Sequence, residues 1–204
     1  MRHAVSMELY AYWNALRGGR AAPERNEIEP GAIRSVLADT FVLEFNAGTG
    51  FPFRISGSRV NALFLRELRG LSFLKLWRAT DGSEIVSVLQ RVADTAQPCL
   101  LGAEARPSGL GPLAVEVALL PLRHSGSTHS RILGSLAADA GADWLGLVGA
   151  GPATLTSVRA VDPSAPAHAA AEPAVAAPAP CSPARTGGLF LVPHSASPHG
   201  SFSV

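Results

Sequence analysis

The hydrophobic period of this chain changes twice along its length, and that order constrains the fold more than any single residue. In TFVLEF (40–45) the apolar residues Phe41, Leu43 and Phe45 recur at every second position, and in FPFRIS (51–56) Phe51, Phe53 and Ile55 do the same. The turn formers NAGTG lie between them, so the stretch reads as a β-hairpin. A symmetric turn sets Phe45 opposite Phe51, Leu43 opposite Phe53 and Phe41 opposite Ile55, stacking six large apolar residues on one side. Glu44 and Arg54 then face water on the other.

Upstream of the hairpin the period is helical. Val5, Leu9, Tyr12, Trp13 and Leu16 mark one amphipathic helix that Gly18 and Gly19 stop. A polar connector then leads to a short second helix over 31–38, with Pro30 at its start. Downstream, SRVNALFLRELRG (58–70), SFLKLW (72–77) and a longer helix from Ser83 to Thr95 restore the helical period. Ile85, Val88, Leu89 and Val92 form the buried stripe of that last helix, and Asp81 or Ser83 is its N-cap. Three strands follow, over 99–106, 113–122 and 131–138, and a strand-like stretch LTSVRAV (155–161) closes the body. The expected fold class is α+β: a five-stranded antiparallel sheet with helices on one face, preceded by the N-terminal amphipathic helix. The organisation expected is a helical segment over 1–38, the sheet domain over 39–161 and a tail over 162–204. Eight of the 16 prolines fall in that alanine-rich tail, which lacks the apolar area to offset its ordering entropy. Its short apolar island, GGLFLVPH, reads as a sticky stretch in a disordered end, with a docking peptide as the alternative.

Charge and cysteine content narrow the function classes. Lys and Arg number 17 against 16 Asp and Glu, a net charge of +1 that offers no field for nucleic acid. Cys99 and Cys181 are far apart in unlike surroundings and form no disulfide framework. The N-terminus has no signal-peptide core, and no stretch approaches the ~18 apolar residues of a membrane span. A cytoplasmic chain with no nucleic-acid or membrane partner is the expectation.

Motifs for catalysis are weak. GLVGAGPATL (146–155) approaches a dinucleotide fingerprint, the basis of a third-ranked reading as a small nucleotide-dependent oxidoreductase. Its third glycine is replaced by Thr154, however, and only a short stretch follows it before the tail. His124 and His129 flank HSGSTH without a third ligand, so a hairpin turn is favoured over a metal site. No GxSxG elbow or carboxylate pair appears, so no enzyme and no metal are expected. Arg17, Arg20 and Arg25, set among Glu24, Glu27 and Glu29, read as a salt-bridged connector rather than an anion site.

The element order is similar to the PAS fold. WNALRGGRAAPERNEIEP (13–30) resembles the opening of a bacterial PAS subfamily, the fifth, formerly a domain of unknown function. Further marks are Glu44, Arg54, Gly57, Asn61, ELRG (67–70), Trp77, LLPL (119–122) and ILG (132–134). Leu65 departs from the pattern, because the subfamily favours glycine there. The resemblance implies a non-catalytic sensory or regulatory module of bacterial signalling that binds a small apolar or amphipathic ligand between sheet and helices. Phe41, Leu43, Phe53, Phe64, Phe73, Trp77, Ile85, Leu89, Val117 and Leu133 would line the site. Haem-bearing relatives use a histidine on the long helix and flavin relatives a cysteine on the short one before it; neither residue is present, so no cofactor is expected. The alternative is a ligand-free adaptor for a signalling partner. A homodimer through Val5, Leu9, Trp13 and Leu16 is expected in either case.

Overall fold

Alternation in the fourth strand shows how the sheet is covered. The computed structural model describes residues 1–45, 50–124, 127–138 and 146–163. Its strands are β1 (Thr40–Glu44), β2 (Phe53–Ser56), β3 (Cys99–Ala105), β4 (Leu113–His124), β5 (Ser127–Ala138) and β6 (Thr154–Ala160). They form one sheet in the order β2-β1-β5-β4-β3-β6 with every pair antiparallel. The sixth strand, which the five-stranded expectation left out, is the LTSVRAV stretch added along β3. In β4, Val117 and Leu119 point to one face while Ala118, Leu120 and Leu122 point to the other, and all five are buried. The sheet is therefore covered on both faces, by the expected helices on one and by the N-terminal helix with its connector on the other.

The inner face is covered by α2 (Ser58–Phe64), two 3-10 turns and α3 (Gly82–Thr95), all on the crossover from β2 to β3. Ile85, Val88, Leu89, Val92 and Ala93 are the buried stripe of α3, as its spacing predicts. Asp81 is its N-cap residue, but its carboxylate accepts a hydrogen bond from Leu155 N at 2.9 Å and so fastens β6 to the helix instead.

The outer face is covered by α1 (Ala4–Arg17) and the connector behind it. Apolar packing alone does not hold α1 there: the Trp13 indole donates to the carbonyl oxygen of Pro121 at 2.8 Å. β3 pairs with β4 only up to Leu119, so Pro121 lies beyond the β3–β4 ladder while still paired with Ile132 of β5. Past it, Arg123 N donates to Pro23 O at 2.9 Å, so the connector takes over as β4's neighbour. The short second helix expected over 31–38 is instead a series of 3-10 turns, Arg25–Glu27, Pro30–Ile33 and Leu37–Asp39. No helix among the described residues is long and apolar enough to cross a membrane. Chain contacts separate Met1–Glu172 from Pro173–Val204, and the tail from residue 164 on, with its GGLFLVPH island, lies outside the described residues.

Candidate functional site

Nine of the ten residues expected to line a ligand site do meet between sheet and helices, but they meet one another. Phe41, Leu43, Phe53, Phe73, Trp77, Ile85, Leu89 and Val117 are buried in one cluster with half-buried Phe64 packed on it. The Phe41 ring lies 5.5 Å from Phe53 and 5.6 Å from Phe73, and Phe73 lies 5.7 Å from Trp77. These edge and tilted contacts are those of a filled aromatic core. Leu133 is the exception, because β5 alternates and places it on the outer face with Val42, Leu120 and Leu122.

The N-terminal helix uses its stripe within its own chain. Leu9 and Trp13 are fully buried on the outer face, while Val5 and Leu16 are half-buried at its margin. The four residues expected to pair two copies thus include two that are already spent. A stripe of this kind reads the same in sequence whether it covers its own sheet or another chain.

The connector behind α1 is a clasp. Both terminal nitrogens of Arg20 meet the Glu27 carboxylate at 3.0 Å, and Glu24 N donates back to that carboxylate at 2.6 Å. The guanidinium bonds hold the Glu27 carboxyl below its ordinary range. Arg17 donates to Asn14 Oδ1 and to the carbonyls of Arg20 and Pro163. Of the three arginines expected in a salt-bridged connector, Arg20 alone pairs with a glutamate, Glu27, while Arg17 is held by an amide and backbone carbonyls. Arg25 makes no side-chain hydrogen bond among the described residues, and its Nε is buried.

Between this clasp and the sheet runs a trough of about 560 Å³, within the size range of small-molecule sites. Ile28, Ile33, Leu37, Val42, Ile55 and Leu133 supply its apolar wall. Ile55 is there because the hairpin is bulged. Leu43 pairs with Phe53 as symmetry demands, but Val42 pairs with Ile55 and Phe41 with Ser56, leaving Arg54 as an extra residue. The bulge shifts the register by one and turns Ile55 from Phe41's side to the outer side. Ile55 is 48% exposed and Leu37 40%, so the trough presents uncovered apolar surface. Period counting misses this, since no sequence signal marks the bulge. Phe45 and Phe51 do pair, with rings 5.1 Å apart.

The remaining marked residues have structural roles. Asn61 Oδ1 accepts from Leu68 N at 3.2 Å and from Ser56 Oγ at 2.7 Å, while its amide donates to Glu67 at 3.1 Å. This network folds the chain back at the end of α2. Leu65 ends that helix in the left-handed region at φ 51°, which gives glycine's place there a physical reason. A Cβ at Gly57 would collide with the backbone carbonyls of Ala38 and Leu37. The glycines of GLVGAGPATL lead into β6 and not into a helix, so the dinucleotide geometry is not formed. Burial raises the Cys99 thiol pKa, the condition of an inert core cysteine. Among the described residues no three His, Cys, Asp or Glu side chains cluster as metal ligands. The His124 loop reaches residues outside the described set.

A search of curated proteins returned no match. The family model described as PAS domain, of the fifth PAS subfamily, matches residues 1–137, from α1 through nearly all of β5. The match takes in the N-terminal clasp as well as the sheet, and the chain accordingly belongs to the PAS domain family.

Proposed function

We propose that this chain is a non-catalytic, cytoplasmic sensory module of bacterial signalling, and that its ligand is a small apolar or amphipathic molecule held in the outer trough. Family membership supports a PAS-type sensory or regulatory module in general. The observation that carries the finer reading is the exposure of Leu37 and Ile55 on the wall of one 560 Å³ trough, while the inner site is filled by its own aromatic side chains. Uncovered apolar surface gathered in a concavity marks a binding site more reliably than scattered exposed residues do. Occupancy would bear on the clasp, which forms one wall of the trough, and hence on what a signalling partner meets.

Native mass spectrometry of the full chain, with uptake of the neutral dye N-phenyl-1-naphthylamine, tests this. Dye binding that falls in a Leu37→Gln, Ile55→Gln variant is expected, along with any bound mass released on denaturation. Equal native and denatured masses together with no dye uptake would overturn the reading.

The second reading is a ligand-free adaptor that pairs copies or partners through α1 and the sheet. It draws on Met7, 46% exposed beside half-buried Val5 and Leu16. Light scattering decides it: a monomer at tens of micromolar removes the homodimer.

A further inference from the structure

The trough does not end in solvent alone. Next to it, on the same outer side, is a hollow of about 700 Å³ lined by Arg25, Arg54, Arg69, Arg131 and Glu67. Arg25, Ile55 and Ser56 line both spaces, so an apolar slot opens directly into an arginine-lined mouth. The arginines come from four separate places: the clasp, the bulge of β2, the turn after α2 and β5. Nothing in the local sequence gathers them; the fold does.

Their charges are not balanced within the protein. Glu44 is shared by Arg131 at 3.4 Å and Arg54 at 3.7 Å. Glu67 is already engaged, accepting from Arg69 N at 3.2 Å and from Asn61 Nδ2 at 3.1 Å. Four guanidinium groups thus face two carboxylates, both partly committed. The Nε atoms of Arg25 and Arg131 are buried with no hydrogen-bond partner among the described residues. Neither guanidinium is therefore fully engaged within the protein, and the terminal nitrogens of these side chains are what an oxygen anion in the mouth would meet. Guanidinium forks match carboxylate and phosphate oxygens in geometry as well as charge.

We propose that the joined spaces bind a long-chain amphiphile with an oxyanion headgroup. The head lies among Arg25, Arg54, Arg69 and Arg131, and the chain lies along Ile33, Leu37, Ile55 and Leu133. This rests on the trough being the ligand site and adds the chemistry of the head.

Titration calorimetry of the full chain, below the micellar concentration of each probe, tests it with laurate, dodecyl phosphate, dodecanol and dodecyltrimethylammonium. Laurate or dodecyl phosphate should bind at least tenfold more tightly than the neutral and cationic chains, and whichever is preferred identifies the head as carboxylate or phosphate. Arg25→Gln and Arg69→Gln should each weaken that binding about tenfold, the scale of one charge-assisted hydrogen bond. Arg78→Gln, outside both spaces, should leave it unchanged. Melting curves of the three variants confirm that each is folded. Equal binding of all four head groups, unaffected by Arg25→Gln, would overturn the oxyanion head while leaving the trough reading intact. No binding by any probe would overturn both. Binding of acetate or inorganic phosphate as tight as that of the long chains would overturn the role of the chain. If Phe190→Ser in the tail's apolar island raises laurate affinity tenfold, the occupant is the chain's own tail, and the proposal fails.

Discussion

Gly134 to Ala is the substitution for which the structure and simple propensity predict opposite signs. Gly134 stands in β5 between Phe41 of β1 and Leu119 of β4. Alanine is ordinarily better than glycine inside a strand by roughly 0.5–1 kcal/mol, so a pattern-based expectation is mild stabilisation. Here the Phe41 ring lies across the glycine. An added Cβ would collide with that ring and lie 2.8 Å from the Ala118 carbonyl oxygen. The ring cannot swing aside, because it is 1% exposed and wedged against Phe53 and Phe73. Overpacking of this kind costs about 1–3 kcal/mol, and complete expulsion of the ring is bounded by the ~3–5 kcal/mol of a Phe→Ala change. The expected loss is about 2–4 kcal/mol. Phe41→Leu removes the ring atoms that the Cβ would meet, so Gly134→Ala should cost much less in that background, a coupling of about 2 kcal/mol. Urea unfolding of the four proteins with a common m-value measures it. A Gly134→Ala protein within about 0.5 kcal/mol of the parent, or the same cost in both backgrounds, would refute the steric account.

Other positions give further tests. Leu65→Gly should stabilise by up to ~1 kcal/mol, because the residue sits at φ 51° with its side chain 47% exposed; a loss in thermal melting would show that Leu65 packing outweighs backbone strain. Trp13→Phe should cost ~1–3 kcal/mol by leaving the Pro121 carbonyl without its donor, with a melting temperature independent of protein concentration; concentration dependence would restore α1 as a dimer interface. The Arg20 bonds depress the Glu27 pKa in the folded state. Its stabilising contribution is therefore present above the ordinary carboxylate pKa and lost as pH falls through the folded value. The melting gap between the parent and Glu27→Gln should close on acidification, and a constant gap would show that the carboxylate charge is not what stabilises the clasp.

The element types were legible because they follow from periodicity. The α3 stripe, the hairpin and the late strands all appear where the spacing of apolar residues puts them, and Leu43 opposite Phe53 is correct to the residue. Placement by face was less legible. Leu133 looks like any other core residue in ILG, and only the strand order shows that it faces α1 and not α3. Likewise, the helical spacing of Leu9 and Trp13 states that one face is apolar, not what covers it. That Arg17, Arg20 and Arg25 would form a connector with the neighbouring glutamates was readable from the sequence, but that Arg20 pairs with Glu27 was not. That Arg25 would be left over, and would meet Arg54, Arg69 and Arg131, depends on contacts that local sequence does not encode.

The candidate site arises where the regular rules are interrupted. A perfectly alternating hairpin would have buried Ile55 beside Phe41 and left the outer face of β2 polar. The extra residue at Arg54 instead directs an arginine and an isoleucine to the same outer side, one into the mouth and the other into the trough. A continuous helix over 31–38 would have laid a single surface on the sheet. The sequence of 3-10 turns instead bends around the space and contributes Ile33 and Leu37 to its wall. Deleting Arg54 would remove the bulge but keep Ile55 opposite Val42 on the outer side, whereas a regular register that kept Arg54 opposite Val42 would return Ile55 to the inner side. The inner core is already filled by Phe41, Phe53 and Phe73, so that unbulged register with Arg54 retained would overpack the core and take Ile55 from the trough's exposed apolar wall.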